Sequence, residues 1–233
     1  MSSAMIFLTC LRLAFVSNVA VPTGADGVAE KTRVACVGDS ITFGHGIKDR
    51  EHGSYPAQLA SLLGDRYEVR NFGVSGTTLI KRGTRPYDQQ DACREALKFR
   101  PQLAIIMLGT NDTNKQTWPD HKQDFAADYT ELISKFRAAS PDIQIWICLP
   151  PPLVRDRGKE WDTNAILNKQ VVPKIKAVAK ESKVGVIDLN SIFADRSALL
   201  PDGVHPNSEG AELMARTVYE SLQKQSAHKA FNE

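Results

Sequence analysis

From residue 31 onward, short apolar runs rich in β-branched residues alternate with longer amphipathic segments, and this alternation constrains the fold more than any other feature. The apolar runs fall at 33–37, 67–71, 103–108, 143–149 and 184–188. Helical patterns fall at 55–63, 89–99, 125–139 and 164–182, with a last one at 208–224. Strand followed by helix, repeated along the chain, predicts a parallel sheet covered by helices on both faces. The runs at 33–37 and 103–108 are nearly unbroken rather than alternating, as a strand covered on both faces requires. Reactive groups in such sheets lie on loops beyond the carboxyl ends of the strands. A chain of 233 residues can build one α/β core and is short for two, so one domain is expected at 31–226.

Four of those loops carry chemistry. The first strand leads into Gly38-Asp39-Ser40-Ile41-Thr42, where a glycine permits a sharp turn and Ser40 opens a helical turn. Ser40 is either a nucleophile or only the N-cap of that helix. Asn71-Phe72-Gly73-Val74-Ser75-Gly76 follows the second strand, and its glycines allow a tight turn with exposed N–H groups. Leu108-Gly109-Thr110-Asn111-Asp112 follows the third, and Asn111 either offers a carboxamide donor or closes an Asx-turn. Near the C-terminus, Asp202 stands three residues before His205 in a loop flanked by Pro201 and Pro206. A carboxylate at that spacing can hold one imidazole nitrogen while the other faces a nucleophile. A nucleophile, a base with its orienting acid and donors for a developing oxyanion are what acyl transfer needs.

Composition narrows the alternatives. Apolar residues at 42% and charged residues at 24% match an ordinary soluble globular protein. With 29 basic and 27 acidic side chains there is no basic block suited to phosphate tracking, so nucleic acid is not expected as a partner. The four cysteines, Cys10, Cys36, Cys93 and Cys148, form no C-x-x-C pair and read as core residues with free thiols. Residues 5–21 are mostly apolar and precede a Pro/Gly/Ala stretch, so residues 1–25 are expected to be an export leader, and the protein to be secreted or periplasmic. The run is too short for a spanning helix and is broken by Arg12, so no stable membrane insertion is expected after leader removal.

Taken in order, G-D-S, N-x-G-x-S-G, G-x-N-D and D-x-x-H-P make the chain resemble the SGNH hydrolases, also called the GDSL esterase/lipase family. The resemblance runs from Val34 to about Ala215. It implies a three-layer α/β/α sandwich around a five-stranded parallel sheet, the flavodoxin-like SGNH hydrolase fold. It also implies Ser40 as nucleophile, His205 as base and Asp202 as acid, with oxyanion donors from the Ser40 and Gly76 backbones and the Asn111 side chain. Neither cofactor nor metal is implied. The first block reads GDSI instead of GDSL, and Ile41 should point into helix packing. Asp39 should stabilise the turn, and Ser75 lacks the setting of a nucleophile.

For the substrate, the segments 81–88 and 115–122 are polar and carry Arg82, Arg85, Tyr87 and Trp118. They suggest a sugar-facing surface, and so a short acyl group, acetyl especially, on a small-molecule or glycan ester. Trp146 and Trp161 read as packing residues. Three alternatives are an arylesterase, lysophospholipase or thioesterase of the same resemblance, a metal-dependent phosphoesterase using Asp39, Asn111, Asp112, Asp202 and His205, and a non-catalytic glycan-binding domain.

Overall fold

The computed structural model describes residues 30–155 and 159–232. The expected leader at 1–25, with Cys10, lies outside them. Five strands, β1 (Thr32–Gly38), β2 (Tyr67–Gly73), β3 (Leu103–Met107), β4 (Gln144–Leu149) and β5 (Gly185–Asp188), form one all-parallel sheet in the order β2-β1-β3-β4-β5. After β1 come α1 (Ser40–Phe43), α2 (Arg50–Gly53) and α3 (Tyr55–Leu63); after β2, α4 (Asp91–Lys98). After β3 come α5 (Trp118–His121) and α6 (Phe125–Ala139), and after β4, α7 (Thr163–Ile166) and α8 (Val172–Ser182). The last helix is α9 (Ser208–Asn232).

Strand side chains alternate between two cores. Ala35, Val37, Ala104 and Ile106 face a core completed by Ala96 of α4, Phe136 of α6 and Val178 of α8. Val34, Cys36, Ile105 and Met107 face one completed by Leu59 of α3 and Met214 of α9. Because both faces are covered, β3 is apolar throughout, and all five of its residues are buried. Helix α6 shows the matching period: it buries Phe125, Tyr129, Leu132, Ile133 and Phe136 along one stripe. The expected layers are therefore present.

Two helices differ from the sequence expectation. The segment expected as one helix at 164–182 contains a π-helical turn at Leu167–Val171 just before Pro173. Proline has no N–H and its ring crowds the carbonyl four residues back, so the preceding turn widens instead of continuing in the α pattern. The last helix, expected to end at 224, runs to Asn232. Among the described residues no helix is long and apolar enough to cross a membrane.

Chain order makes the sheet reverse around β1: the chain leaves it outward to β2 and returns on its other side as β3. In open parallel sheets this switch point opens a crevice at the carboxyl edge. The loops after β1 and β3, which carry Ser40 and Asn111, flank it.

Candidate active site

Ser40 is the first residue of α1, and the cap of that helix is Asp39, whose Oδ1 accepts from Ile41 N–H at 2.9 Å. Ser40 is thus not the helix cap, and its hydroxyl is available for another partner. The Ser40 side chain meets His205, with Oγ 2.8 Å from Nε2. Ile41 points into the core, as expected of the residue after the serine.

The base comes from the loop before α9. Asp202 Oδ1 accepts the backbone N–H groups of Val204 and His205 at 2.9 and 2.7 Å, and Oδ2 lies 2.6 Å from His205 Nδ1. Partial burial would push the Asp202 carboxyl up, but the hydrogen bonds from the His205 ring and from the two N–H groups hold it at about 2. An ionised carboxylate can only accept, so His205 Nδ1 carries the proton and Nε2 accepts from the Ser40 hydroxyl. The loop is fixed at both ends. Gly203 has φ +78 and lies so close to the backbone of Arg155 that a Cβ would meet its N at 2.7 Å, while Val154 N–H donates to Gly203 O at 2.7 Å. Asn207 Oδ1 accepts from Gly210 N–H at the start of α9.

The opposite wall is made of backbone and amide donors. Val74 N–H donates to Gly38 O at 3.0 Å, fastening the loop after β2 to the strand that carries Ser40. Gly76 lies in that loop with φ +77. Asn111 Nδ2 donates to Thr77 O at 3.0 Å and reaches Asp39 Oδ2 at 3.4 Å, so one carboxamide touches the neighbour of Gly76 and the neighbour of Ser40. Asn111 thus acts as a cross-loop donor here, rather than as the acceptor of an Asx-turn. Arg85 Nη1 donates to Ser75 O at 2.6 Å from the outer side.

Asp112 was placed by sequence only among metal ligands, and its actual position is different. It is fully buried, and its two oxygens accept from Leu79 and Ile80 N–H at 2.9 and 2.8 Å, clamping the chain just beyond Gly76. Burial raises both neighbouring carboxyls: Asp39 to about 7, against the pull of the Ile41 N–H, and Asp112 to about 6, against that of its two N–H donors. The five residues of the metal alternative are thereby divided between a clamp (Asp112), a helix cap (Asp39), a cross-loop donor (Asn111) and the base loop (Asp202 and His205). Among the described residues no group of three or more His, Cys, Asp or Glu is arranged to hold a metal ion.

The sugar-facing surface expected at 81–88 and 115–122 needs correction. Tyr87 is 1% exposed and donates its hydroxyl to Phe72 O at 2.7 Å; Trp118 is 2% exposed, donates to Gln170 Oε1 at 2.9 Å and packs edge-on to Phe125. Large rings whose polar atoms find buried partners are drawn into the core, and these two are not available for stacking on a sugar. Arg82 is paired with Asp124. Trp146 is buried, and Trp161 packs against the core while donating to Thr113 O at 2.9 Å, so both are packing residues as expected. Cys36, Cys93 and Cys148 are free and buried. Burial pushes the Cys36 and Cys93 thiols up to about 12 and about 11.

The sequence profile of the GDSL-like lipase/acylhydrolase family matches residues 36–213. An acetylxylan esterase of Xylanibacter ruminicola is 36% identical over 205 residues, which are 80% of this chain and 42% of that protein. A Bacillus subtilis protein described as an uncharacterized esterase, YxiM, is 30% identical over 176 residues, 68% of this chain and 43% of its own length. The chain thus spans less than half of either relative. Among solved structures, a carbohydrate acetylesterase of Sinorhizobium meliloti, Est24, superposes with a TM-score of 0.66 at 20% identity, covering 84% of this chain and 100% of the other. An aryl esterase of M. smegmatis gives 0.66 at 22% identity over 83% and 99%. At these identities the two structures establish the shared fold.

Proposed function

This chain belongs to the GDSL-like lipase/acylhydrolase family, and we propose that it is a carboxylic ester hydrolase, a serine esterase removing short acyl groups, acetyl above all, from carbohydrate. The observation that carries the reading is the unbroken hydrogen-bond chain from Ser40 Oγ through His205 to Asp202, at 2.8 and 2.6 Å. Ser40 Oγ attacks the ester carbonyl as His205 Nε2 takes its proton, and Asp202 stabilises the imidazolium that forms. Negative charge moves to the carbonyl oxygen. Its donors are the backbone N–H groups of Ser40 and Gly76 and Asn111 Nδ2, whose second proton has only the long 3.4 Å contact to Asp39. His205 returns its proton to the departing alcohol, and water, activated the same way, frees the acyl group as a carboxylic acid.

Two kinds of observation support the substrate class. The acetylxylan esterase is a relative across most of this chain. Two open depressions lie near the site, one of about 490 Å³ with a mostly polar lining that includes Lys48, Asp49 and Arg50, the other of about 530 Å³ bordered by Asp202 and Arg155 and lined also by Leu200 and Pro201. Neither depression is enclosed, and an open surface suits a hydrated sugar better than a long acyl chain. An export leader at residues 1–25, with its apolar run at 5–21, would fit action on a polymer outside the cell. The test is a panel of p-nitrophenyl esters from acetate to octanoate, beside acetylated xylan and acetylated sialic acid. Turnover should fall with acyl length and include one of the acetylated glycans. Preference for octanoate would overturn the substrate class, and glycan binding without turnover of any ester would make the chain a binding domain.

A further inference from the structure

Sequence pattern singles out His205 among five histidines, yet a second imidazole lies against it. The His45 ring centroid is 4.4 Å from that of His205, with the planes tilted by 51°. His45 lies in the loop after α1, and its backbone N–H donates to the carbonyl of Ser40 itself at 2.9 Å. Gly44 and Gly46 on either side have φ +87 and +83, a region that residues with a Cβ rarely enter. A Cβ at Gly44 would also meet Arg50 Cγ and Ser54 Cβ at 2.8 Å, whereas at Gly46 there is open space, so backbone conformation alone calls for glycine there. The Gly44-His45-Gly46 turn therefore leaves the helix abruptly and delivers an imidazole against the ring of His205.

His205 needs such a support. Its ring stands on a loop, and its two nitrogens are held at their ends, Nδ1 by Asp202 and Nε2 by Ser40. Both bonds lie at the ring's rim. They resist translation well and tilting of the ring about the line joining them poorly, because a hydrogen bond weakens slowly over the first tens of degrees. A second ring packed against the imidazole leaves it less room to tilt. We propose that His45 is a positioning residue: by packing against the ring of His205, from a turn tethered to the Ser40 carbonyl, it holds the base in line with the nucleophile. The inference rests on the esterase reading of this site.

The test compares His45→Ala and His45→Phe with the parent, and with Ser40→Ala as reference, on p-nitrophenyl acetate. In His45→Ala, kcat should fall roughly three- to tenfold, the size of a lost ring pair, with KM within about twofold. In His45→Phe, which keeps a ring and loses both nitrogens, kcat should return to within about twofold of the parent. The downfield proton resonance of His205 Nδ1–H, read in the folded state of each variant, should broaden or vanish in His45→Ala and persist in His45→Phe. This readout does not depend on turnover, and it decides the matter if a variant melts early. Unchanged kcat and resonance in both variants would overturn the proposal, as would equal losses in both, which would assign the effect to an imidazole nitrogen. A rise in KM alone would make His45 a substrate contact instead. Turnover surviving in Ser40→Ala would sink the esterase reading itself, whereas a dead Ser40→Ala beside an unaffected His45→Ala sinks only this inference.

Discussion

The two walls of the site are built on opposite plans. The base wall is a single loop near the surface: Asp202 and His205 are three residues apart, the Asp202 side chain is half exposed, and the partners of Asp202 are its own near neighbours. The donor wall is assembled from three distant loops and strapped together by two fully buried carboxylates, Asp39 and Asp112. One wall is cheap to disturb in folding terms and the other is not. Chemistry and stability should therefore separate between them.

The largest expected effects come from removing the two reacting side chains, one from each wall, without unfolding the protein. Ser40→Ala and His205→Ala should each lower kcat by at least about 10⁴-fold on p-nitrophenyl acetate. Thermal melting of both should stay close to the parent, and a collapse of the fold in His205→Ala would contradict the contrast. Asn111→Ala comes next: a loss of roughly 10²–10³ in kcat, with a smaller change in KM, plus a modest stability loss because Thr77 O loses its donor. Full turnover in this variant would remove Asn111 from the oxyanion site. Asp112→Ala tests the strap. It leaves the Leu79 and Ile80 N–H groups without acceptors and should cost about 2–4 kcal/mol in urea unfolding, with activity falling as the Gly76 loop loosens. A neutral result would show that the clamp is dispensable.

The smallest effect, and the one that sharpens the comparison most, is in pH. Asp39 and Asp112 have folded values raised from 3.8 to about 7 and about 6, so their contribution is fully present below 3.8 and is lost as pH rises toward 6–7. Asp202 is lowered from 3.8 to about 2, so its contribution is present above 3.8 and is lost as pH falls toward 2. These three groups together predict greatest stability near pH 4, measured by urea unfolding across the range. Asp202→Asn should flatten only the acid limb, and by little, since that side chain is half exposed. A loss of the upper limb in the same variant would reverse the assignment.

How much of this was legible in the sequence follows the same division. The base wall is local: a carboxylate three residues before a histidine, between prolines, can be read from spacing alone. The sheet is legible too, because strands covered on both faces must be apolar throughout, as Leu103–Met107 is. The straps are not local. Nothing near Asp112 announces that its oxygens will meet Leu79 and Ile80, and the only signal is a carboxylate beside Asn111 in a segment otherwise bound for the core. Tyr87 and Trp118 misled because loop composition does not reveal burial: each ring finds a partner for its one polar atom inside the protein. His45 was missed because two glycines around a histidine read as a plain turn until their left-handed conformations are seen.

Covalent trapping distinguishes Ser40, activated by His205, from any other nucleophile of the chain. The protein is treated with a serine-directed organophosphate, turnover is followed, and the adduct is mapped by peptide mass spectrometry. One adduct per chain is expected, on Ser40, formed in step with loss of esterase activity and greatly slowed in His205→Ala. An adduct on Ser75, or esterase activity that persists after Ser40 is fully modified, would contradict it.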